Sequence, residues 1–166
     1  MIAADGTFFP YNAIDKIAEA FVPIDLDGDL VVVKRPLRES DPVQTIGVFA
    51  SAWMPEENSY EMRGGLGGAS EPTLSRYMIS IQIYVKDMDA ERGAAVHATL
   101  AKIVRSMLYR DTALHVALRA LTANVAGSTE STRRFGVSAQ RYLSNELSGS
   151  WLYLSIVDFW LETETS

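Results

Sequence analysis

The stretch from Leu74 to Arg110 most constrains the fold, because its apolar periodicity changes once, from that of a strand to that of a helix. In its first part, β-forming residues alternate with other residues, which predicts a strand: Tyr77, Ile79, Ile81, Ile83 and Val85. After a turn, apolar residues recur every three or four positions, which predicts an amphipathic helix: Val96, Leu100, Ile103 and Met107, widened by Ala101, Val104 and Leu108. Asp87 or Asp89 is expected to cap this helix. A strand that runs into a helix lying back across it predicts the centre of one α/β layer.

The segments around this unit carry patterns of the same two kinds. Residues 11–22 have apolar side chains at helical spacing, with Asn12 as a candidate cap, and Pro23 is expected to end that helix. Strand patterns follow in three segments: residues 30–33, 44–54 and 150–162. The last of these is apolar on both faces, so it is expected to be buried on both or covered by a neighbouring subunit.

Residues 113–126 are ambiguous, since Leu121 and its neighbours fit either a turn of helix or a strand. A short turn of helix followed by a strand is favoured. The polar segment after Gly127 has little strand pattern, and residues 137–143 are the candidate strand within it. This order of elements predicts a single α+β domain over residues 1–166, with a mostly antiparallel sheet and a long helix packed on one face.

Two parts of this domain are predicted to contain irregular structure. Residues 1–28 are expected to form the N-terminal helix and a turn. Residues 56–72 are expected to form a long flexible loop between two antiparallel strands, because four glycines lie in the run Gly64–Gly68 and ordering them costs much conformational entropy. We expect a partner to order this loop when it binds.

The composition is that of a globular protein and excludes several classes of site. Of 166 residues, 48% are hydrophobic and 22% are charged, so the signature of disorder is absent. The net charge of −6 argues against general affinity for nucleic acid. The absence of cysteine excludes disulfides, thiolate metal sites and a cysteine nucleophile. No segment is apolar and long enough to span a bilayer, and the N-terminus lacks a signal-peptide pattern.

A search for chemistry finds no complete motif. Asp25, Asp27 and Asp29 suggest a calcium loop, but their spacing to glycine and to the twelfth position does not fit. The glycine run lacks the Lys-Ser/Thr of a phosphate-binding loop. His97 lies near the edge of the helical stripe and is expected to be a partly buried, hydrogen-bonded residue, whereas His115 has no partner nearby in sequence. We therefore expect no catalytic, cofactor-binding or metal-binding residues and no enzymatic activity.

Charged and aromatic residues are the remaining candidates for function, as an interface with a neighbouring subunit. The exposed arginines are either solvated or paired with carboxylates of a neighbouring subunit, such as Glu56–Glu57 or Glu162–Glu164. The candidate interface residues are Arg35, Arg38, Glu56, Glu57, Arg133, Arg134, Arg141, Trp151 and Trp160.

Several phrases of the chain together resemble one family: KRPLRESDPVQTIGVFA, SYEM, SEPTLSRYMISIQIYVKD, ERGAAVHATLAKIVRSMLYRD, QRYLSNELSG and DFWLETET. They are similar to the tail terminator proteins of long-tailed phages (siphoviruses) that infect actinobacteria. The similarity covers most of residues 30–166 and depends on whole phrases. Where members of the family are short before EPTL, this chain has Arg63–Gly68, which would lengthen the loop.

The resemblance implies a structural protein that forms a ring of six copies on the head-proximal end of the tail tube. Such a ring stops tube polymerisation and then presents a surface to head-completion proteins. Its implied partners are other copies of itself, the major tail tube protein and a neck protein, and no cofactor or membrane is implied. DNA would pass through the lumen without specific binding, which suits the net negative charge. The implied location is the tail–neck region of the virion, with assembly in the host cytoplasm.

Two alternatives remain at this point. The first is a head-closure or other neck connector protein of the virion, which has a similar size. The second is a small α/β enzyme or ligand-binding domain, which a deep pocket gathering His97 or His115 with carboxylates would favour.

Overall fold

A computed structural model describes residues 9–21, 30–33, 46–53, 73–125, 128–147 and 149–165 of the chain. These residues form three helices and six strands. In chain order the elements are α1 (Phe9–Phe21), β1 (Leu30–Val33), β2 (Ile46–Trp53), β3 (Thr73–Asp87), α2 (Ala90–Arg110), α3 (Thr112–Arg119), β4 (Thr122–Val125), β5 (Ser128–Leu147) and β6 (Ser150–Thr165).

The strands form one sheet in the order β1-β2-β3-β6-β5-β4. All neighbouring strands are antiparallel except β1 and β2, which are parallel. The central pair is β3 and β6, which are in register from Thr73 opposite Thr165 to Asp87 opposite Trp151. The predicted α+β class with a mostly antiparallel sheet is therefore confirmed, and the described elements form a single unit.

The buried core lies on one face of this sheet, which we call the inner face. The predicted alternation in β3 is confirmed, because Ile79, Ile81 and Ile83 are completely buried in the core. On β6, the residues of the same parity meet them, with Val157, Phe159 and Leu161 also buried. All three helices contribute to this core through buried side chains: Phe9, Ala13, Ile14, Ile17 and Phe21 from α1, Leu100, Ala101, Val104 and Leu108 from α2, and Leu114 and Leu118 from α3.

Helix α2 is rotated slightly from the prediction. His97, Leu100 and Val104 are buried, whereas Val96 and Met107 are only half-buried at the edge of the core. Apolar residues at spacings of three and four fit either rotation, so packing against the sheet decides between them. The start of the helix is as expected, because the Asp89 side chain accepts a hydrogen bond from the Arg92 backbone N–H at 3.0 Å.

Two predictions of local structure were wrong. Helix α1 begins at Phe9, so Asn12 lies inside the helix and does not cap it. Strand β5 has 20 residues and extends well beyond the predicted 137–143. Its pairing with β6 shifts register between Thr132 and Arg134 and again between Val137 and Ala139. Each shift changes which residues share a face, so the alternation that identifies a strand is lost from the sequence.

Some predictions lie outside the described residues. They concern the turn within 1–28, the loop 56–72, the aspartates at 25, 27 and 29, and the interface candidates Arg35, Arg38, Glu56 and Glu57. The strands that flank the predicted loop, β2 and β3, are antiparallel as expected. None of the helices in the described part of the chain combines the length and apolar character needed to cross a membrane.

Candidate functional site

The described interface candidates all lie on β5 and β6, but they do not share one face of the sheet. On β6, Trp160 has the parity of Glu162 and Asp158, which lie on the face opposite the core, here called the outer face. Trp151 has the other parity, and it is half-buried and packs against the core. The alternation of the predicted strand puts the two tryptophans on opposite faces, and the structure confirms this.

A row of charges crosses three strands on the outer face. Arg134 of β5 lies opposite Glu162 of β6, which in turn lies opposite Arg76 of β3. The Arg134 guanidinium donates from Nε to Glu162 Oε1 at 2.8 Å and from Nη2 to Oε2 at 2.9 Å. The Arg133 guanidinium is 4.0 Å from both Glu162 and Glu164. The pairing that the sequence suggested with a neighbouring subunit is thus made here within one chain.

The electrostatics of this row keep both partners ionised. The hydrogen bonds from Arg134 lower the pKa of Glu162, and the positive charges of Arg133 and Arg76 act in the same direction against the effect of partial burial. The Glu162 carboxylate likewise raises the pKa of Arg134. Because Arg134 is largely exposed, such a pair adds little to the stability of the fold. It does fix the position of the exposed Arg134 guanidinium over a Glu162 carboxylate that is largely buried.

Trp160 lies between two arginines of this row. The guanidinium carbon of Arg76 is 4.9 Å from the centre of the indole ring, and that of Arg134 is 5.9 Å away. The ring also lies over Gly136 of β5, where a Cβ atom would come within 2.9 Å of Trp160 Cζ2. Glycine at this position therefore lets the indole lie close against the neighbouring strand. The result is a half-buried aromatic ring held between two cations.

Asp158 forms a second charged position on the outer face. Its Oδ2 accepts a hydrogen bond from Arg141 Nη2 at 3.3 Å. Its Oδ1 is buried and accepts no hydrogen bond from any described residue. A buried carboxyl oxygen without a donor is uncommon in native proteins.

His97 is the expected hydrogen-bonded histidine, and its burial is more complete than predicted. Its side chain is 2% exposed, and Nε2 is 3.0 Å from Ser155 Oγ. A serine and a histidine in contact resemble part of a nucleophilic site. However, Ser155 is only 1% exposed, so a substrate cannot reach its hydroxyl in this structure. The arrangement is that of a polar pair inside a core.

The burial of His97 has a consequence for acid stability. Loss of water around the ring lowers the pKa of His97, and a hydrogen bond with the Ile83 backbone only partly opposes this. The unfolded chain has the ordinary value of about 6.5, so near and below that pH the unfolded state binds a proton that the folded state does not. The contribution of His97 to stability is therefore full above pH 6.5 and is lost as the pH falls through the folded-state pKa.

We predict that the variant His97→Gln will show a weaker loss of unfolding free energy than the wild type between about pH 7 and pH 5. Urea unfolding across this range measures the difference. The variant Ser155→Ala removes the hydrogen-bond partner but keeps the imidazole, so it should retain the acid dependence of the wild type. An identical pH profile for His97→Gln and the wild type would contradict the prediction.

His115 does not join His97 in a common site. Its Nε2 is 2.7 Å from the Leu108 carbonyl oxygen, and its ring meets Phe135 edge to face at 5.3 Å. A pocket of about 180 Å³ opens between α2 and β5, but neither histidine is among its lining residues: Arg105, Tyr109, Val137, Ser138, Gln140 and Val157. Within the described ranges, no three side chains of His, Asp or Glu gather where they could hold a metal ion.

The feature that the sequence did not reveal is the free edge of β5. Strand β4 pairs only with the start of β5, from Val125 opposite Ser128 to Thr122 opposite Ser131. Beyond Ser131, none of the described strands pairs with this edge. The exposed side chains of Tyr142 and Leu143 flank it on the two faces. The sequence analysis predicted only residues 137–143 of this strand, because its composition is polar. The position of the strand at an edge of the sheet could therefore not be predicted.

Comparison with known proteins does not place the chain in a family. No protein-family model matches it, and no curated protein matches it in a sequence search.

Proposed function

We propose that this protein is a structural subunit of a phage virion, a tail terminator that forms a hexameric ring on the head-proximal end of the tail tube. In this role it stops tube polymerisation and joins the tail to head-completion proteins. The observation that carries the proposal is the accessible surface formed by β5 and β6, where paired charges and Trp160 lie beside an unpaired strand edge. The phrase-level resemblance over residues 30–166 supports the same conclusion.

The geometry suits a subunit that contacts several neighbours at once. A closed ring uses two different patches on each subunit, one for each neighbour, and a further patch for the tube. The outer face and the β5 edge are two distinct surfaces on one rigid sheet. On the outer face, the exposed Arg134 guanidinium, held in place by Glu162, supplies polar specificity for a partner.

The proposal includes the finer arrangement of the family, with a long helix packed on one face of the sheet. Helix α2, with 21 residues, is the candidate for that role. Its buried residues Leu100, Val104 and Leu108 contribute to the same core as the inner face of β3. The helix would then pack against the inner face of the sheet, and the outer face of β5 and β6 would be available for contacts in the assembly.

The proposed location is the tail–neck region of the virion, after assembly in the host cytoplasm. The net charge of −6 supports passage of DNA through the ring without specific binding, because phosphates are repelled by a negative wall. The major tail tube protein and a neck protein are the proposed partners on the two sides of the ring.

Electron microscopy of phage particles assembled without this protein tests the proposal. A terminator controls tube length, so its loss should give overlong tail tubes that are not joined to heads. Supplying the wild-type chain in trans should restore the normal length, and Val116→Ala, a change at an exposed position of α3, should do so equally well. Tails of normal length beside unjoined heads would instead indicate a head-closure protein. Normal, joined particles would exclude both roles.

A further inference from the structure

Over most of its length, one edge of β5 has no partner among the described strands. After the short pairing with β4, one more backbone bond forms on this side, from the Thr132 N–H to the Leu121 carbonyl oxygen at 3.3 Å. From Arg133 onward, none of the described strands takes up the edge-facing N–H and C=O groups. A row of such groups is a template for another strand, and proteins usually protect it.

The first half of this edge carries two such protections. The register shifts at Thr132/Arg134 and Val137/Ala139 bend the strand and interrupt its row of hydrogen-bonding groups. The exposed side chains of Arg133 and Arg134 add charge to the same part. Both features discourage pairing there.

The second half has no bulge, and none of the described strands covers it. From Gln140 opposite Val157 to Leu147 opposite Ser150, the pairing with β6 is regular. The side chains of residues 140–146 are all exposed, and two large apolar ones stand out, Tyr142 at 55% and Leu143 at 57%. A regular, exposed edge with apolar side chains on both faces is the usual signature of a strand that pairs with another chain.

The other end of the sheet supplies a matching edge in the same chain. Strand β1 is the terminal strand there, and it pairs with β2 alone among the described strands. Its sequence, Leu-Val-Val-Val, consists of residues that favour extended structure. Strands β1, β2 and β6 run in the same direction across the sheet, whereas β3 and β5 run in the opposite direction. The two edges of the sheet therefore run in opposite directions.

We propose that Gln140–Leu147 of β5 pairs antiparallel with β1 of a second copy of this chain. Opposite directions at the two edges allow this pairing to continue the sheet with the helices of both copies on the same side. The contact is head to tail, because each copy uses one edge of each kind and can repeat the contact with the next copy until the chain of copies closes. The inference of a closed circle rests on the proposed function, whereas the strand pairing rests on the sheet alone.

The pocket beside this edge fits the same contact. Gln140, Ser138 and Val137 of β5 form one side of it, and Arg105 and Tyr109 of α2 form the other. A strand added along Gln140–Leu147 would pass close to its opening, so a side chain of the incoming copy can enter it.

Disulfide trapping between two single-cysteine chains tests the pairing, because the natural chain has no cysteine that could react instead. Leu143→Cys is placed on the β5 edge, and Val31→Cys on β1. The two variants are mixed under native conditions, oxidised and weighed by mass spectrometry. The mixed dimer should form in at least a several-fold excess over a control mixture in which Val116→Cys, at an exposed position of α3, replaces the β5 variant.

Two results would overturn the proposal. One is a mixed dimer no more abundant than in the control. The other is a product made only of two Leu143→Cys chains, which would mean that β5 pairs with itself about a twofold axis. A several-fold excess of the mixed dimer supports the proposal.

Proline variants provide an independent measurement of the same contact. Successive residues of a strand point their N–H groups to opposite sides, so one of the positions Leu143 and Ser144 faces the edge and the other faces β6. Of Leu143→Pro and Ser144→Pro, the one that keeps the circular dichroism spectrum of the wild type is the edge variant. In sedimentation, that variant should be monomeric at concentrations where the wild type is oligomeric. An unchanged oligomer would overturn the proposal.

These tests and the tail-length assay can fail separately. Overlong tails in the absence of the protein, combined with no trapped β5–β1 dimer, would leave the terminator role intact and overturn this contact. A trapped dimer combined with normal, joined particles would support the contact and overturn the terminator role.

Discussion

Replacing Phe159 with alanine is expected to lower the free energy of unfolding by about 3–5 kcal/mol, the range found when a buried phenylalanine is truncated. Phe159 is completely buried on β6, opposite Ile79 on one side and Val137 on the other. Its ring centre is 5.7 Å from that of Phe135. Strands on both sides hold the backbone in place, so the core cannot collapse into the space left by the ring. The loss would be a large part of the total stability of a typical domain.

Urea unfolding measured by circular dichroism tests this prediction. The midpoint should fall while the dependence on urea stays the same, since the surface exposed on unfolding changes little. Val116→Ala is the matched control, because Val116 is 59% exposed on α3 and such surface changes usually stay within about 0.5 kcal/mol. A loss below about 1 kcal/mol for Phe159→Ala would show that Phe159 is not at the centre of the core.

Replacing Glu130 with alanine is expected to cost about 2–4 kcal/mol, because it removes the acceptor of two buried hydroxyl groups. Glu130 is 5% exposed on β5. Its Oε1 accepts hydrogen bonds from the Tyr77 hydroxyl at 2.9 Å and from Thr163 Oγ1 at 2.5 Å. These two bonds connect β5 to β3 and β6 across the inner face of the sheet, so the carboxyl group links three strands of the core.

The comparison that tests this reasoning removes the donors as well. In the triple variant Glu130→Leu, Tyr77→Phe and Thr163→Val, no hydroxyl is left without its Glu130 acceptor, so the loss should be smaller than for Glu130→Ala. Both variants are measured by urea unfolding at pH 7. A triple variant that is less stable than Glu130→Ala would show that the network contributes more than the removal of orphaned groups explains.

The sequence predicted those elements whose own residues carry a regular pattern. The alternation from Tyr77 to Val85 and the helical spacing from Val96 to Leu108 identify β3 and α2 without reference to the rest of the chain. Strand β5 carries no such pattern, because two bulges change its parity and because much of it is exposed on both faces. It is a strand because β6 lies beside it. The contact between β5 and β6 forms only when the chain folds, so the sequence of β5 does not show it.

For the candidate site, the sequence predicted the residue types, and the structure showed which of these residues are in contact. The sequence identified Arg133, Arg134, Arg141 and Trp160 as candidates, since such residues are common at interfaces. It named Glu162–Glu164 as carboxylates that these arginines could pair with, but on a neighbouring subunit. The cross-strand register of β5 and β6 decides that Arg134 meets Glu162, and Arg141 meets Asp158, within one chain. The separation of Trp151 from Trp160 on opposite faces follows from strand parity once β6 is known to be a strand throughout.

The sequence by itself therefore determined the α+β class, the central strand and helix, and the residue types available for an interface, because these depend on periodicity and composition along the chain. The tertiary structure alone decided which strands are neighbours, which charges are paired within the chain and which strand edge has no partner among the described strands. These are contacts between residues distant in sequence, and hydrogen bonding and packing between strands fix them only when the sheet has formed.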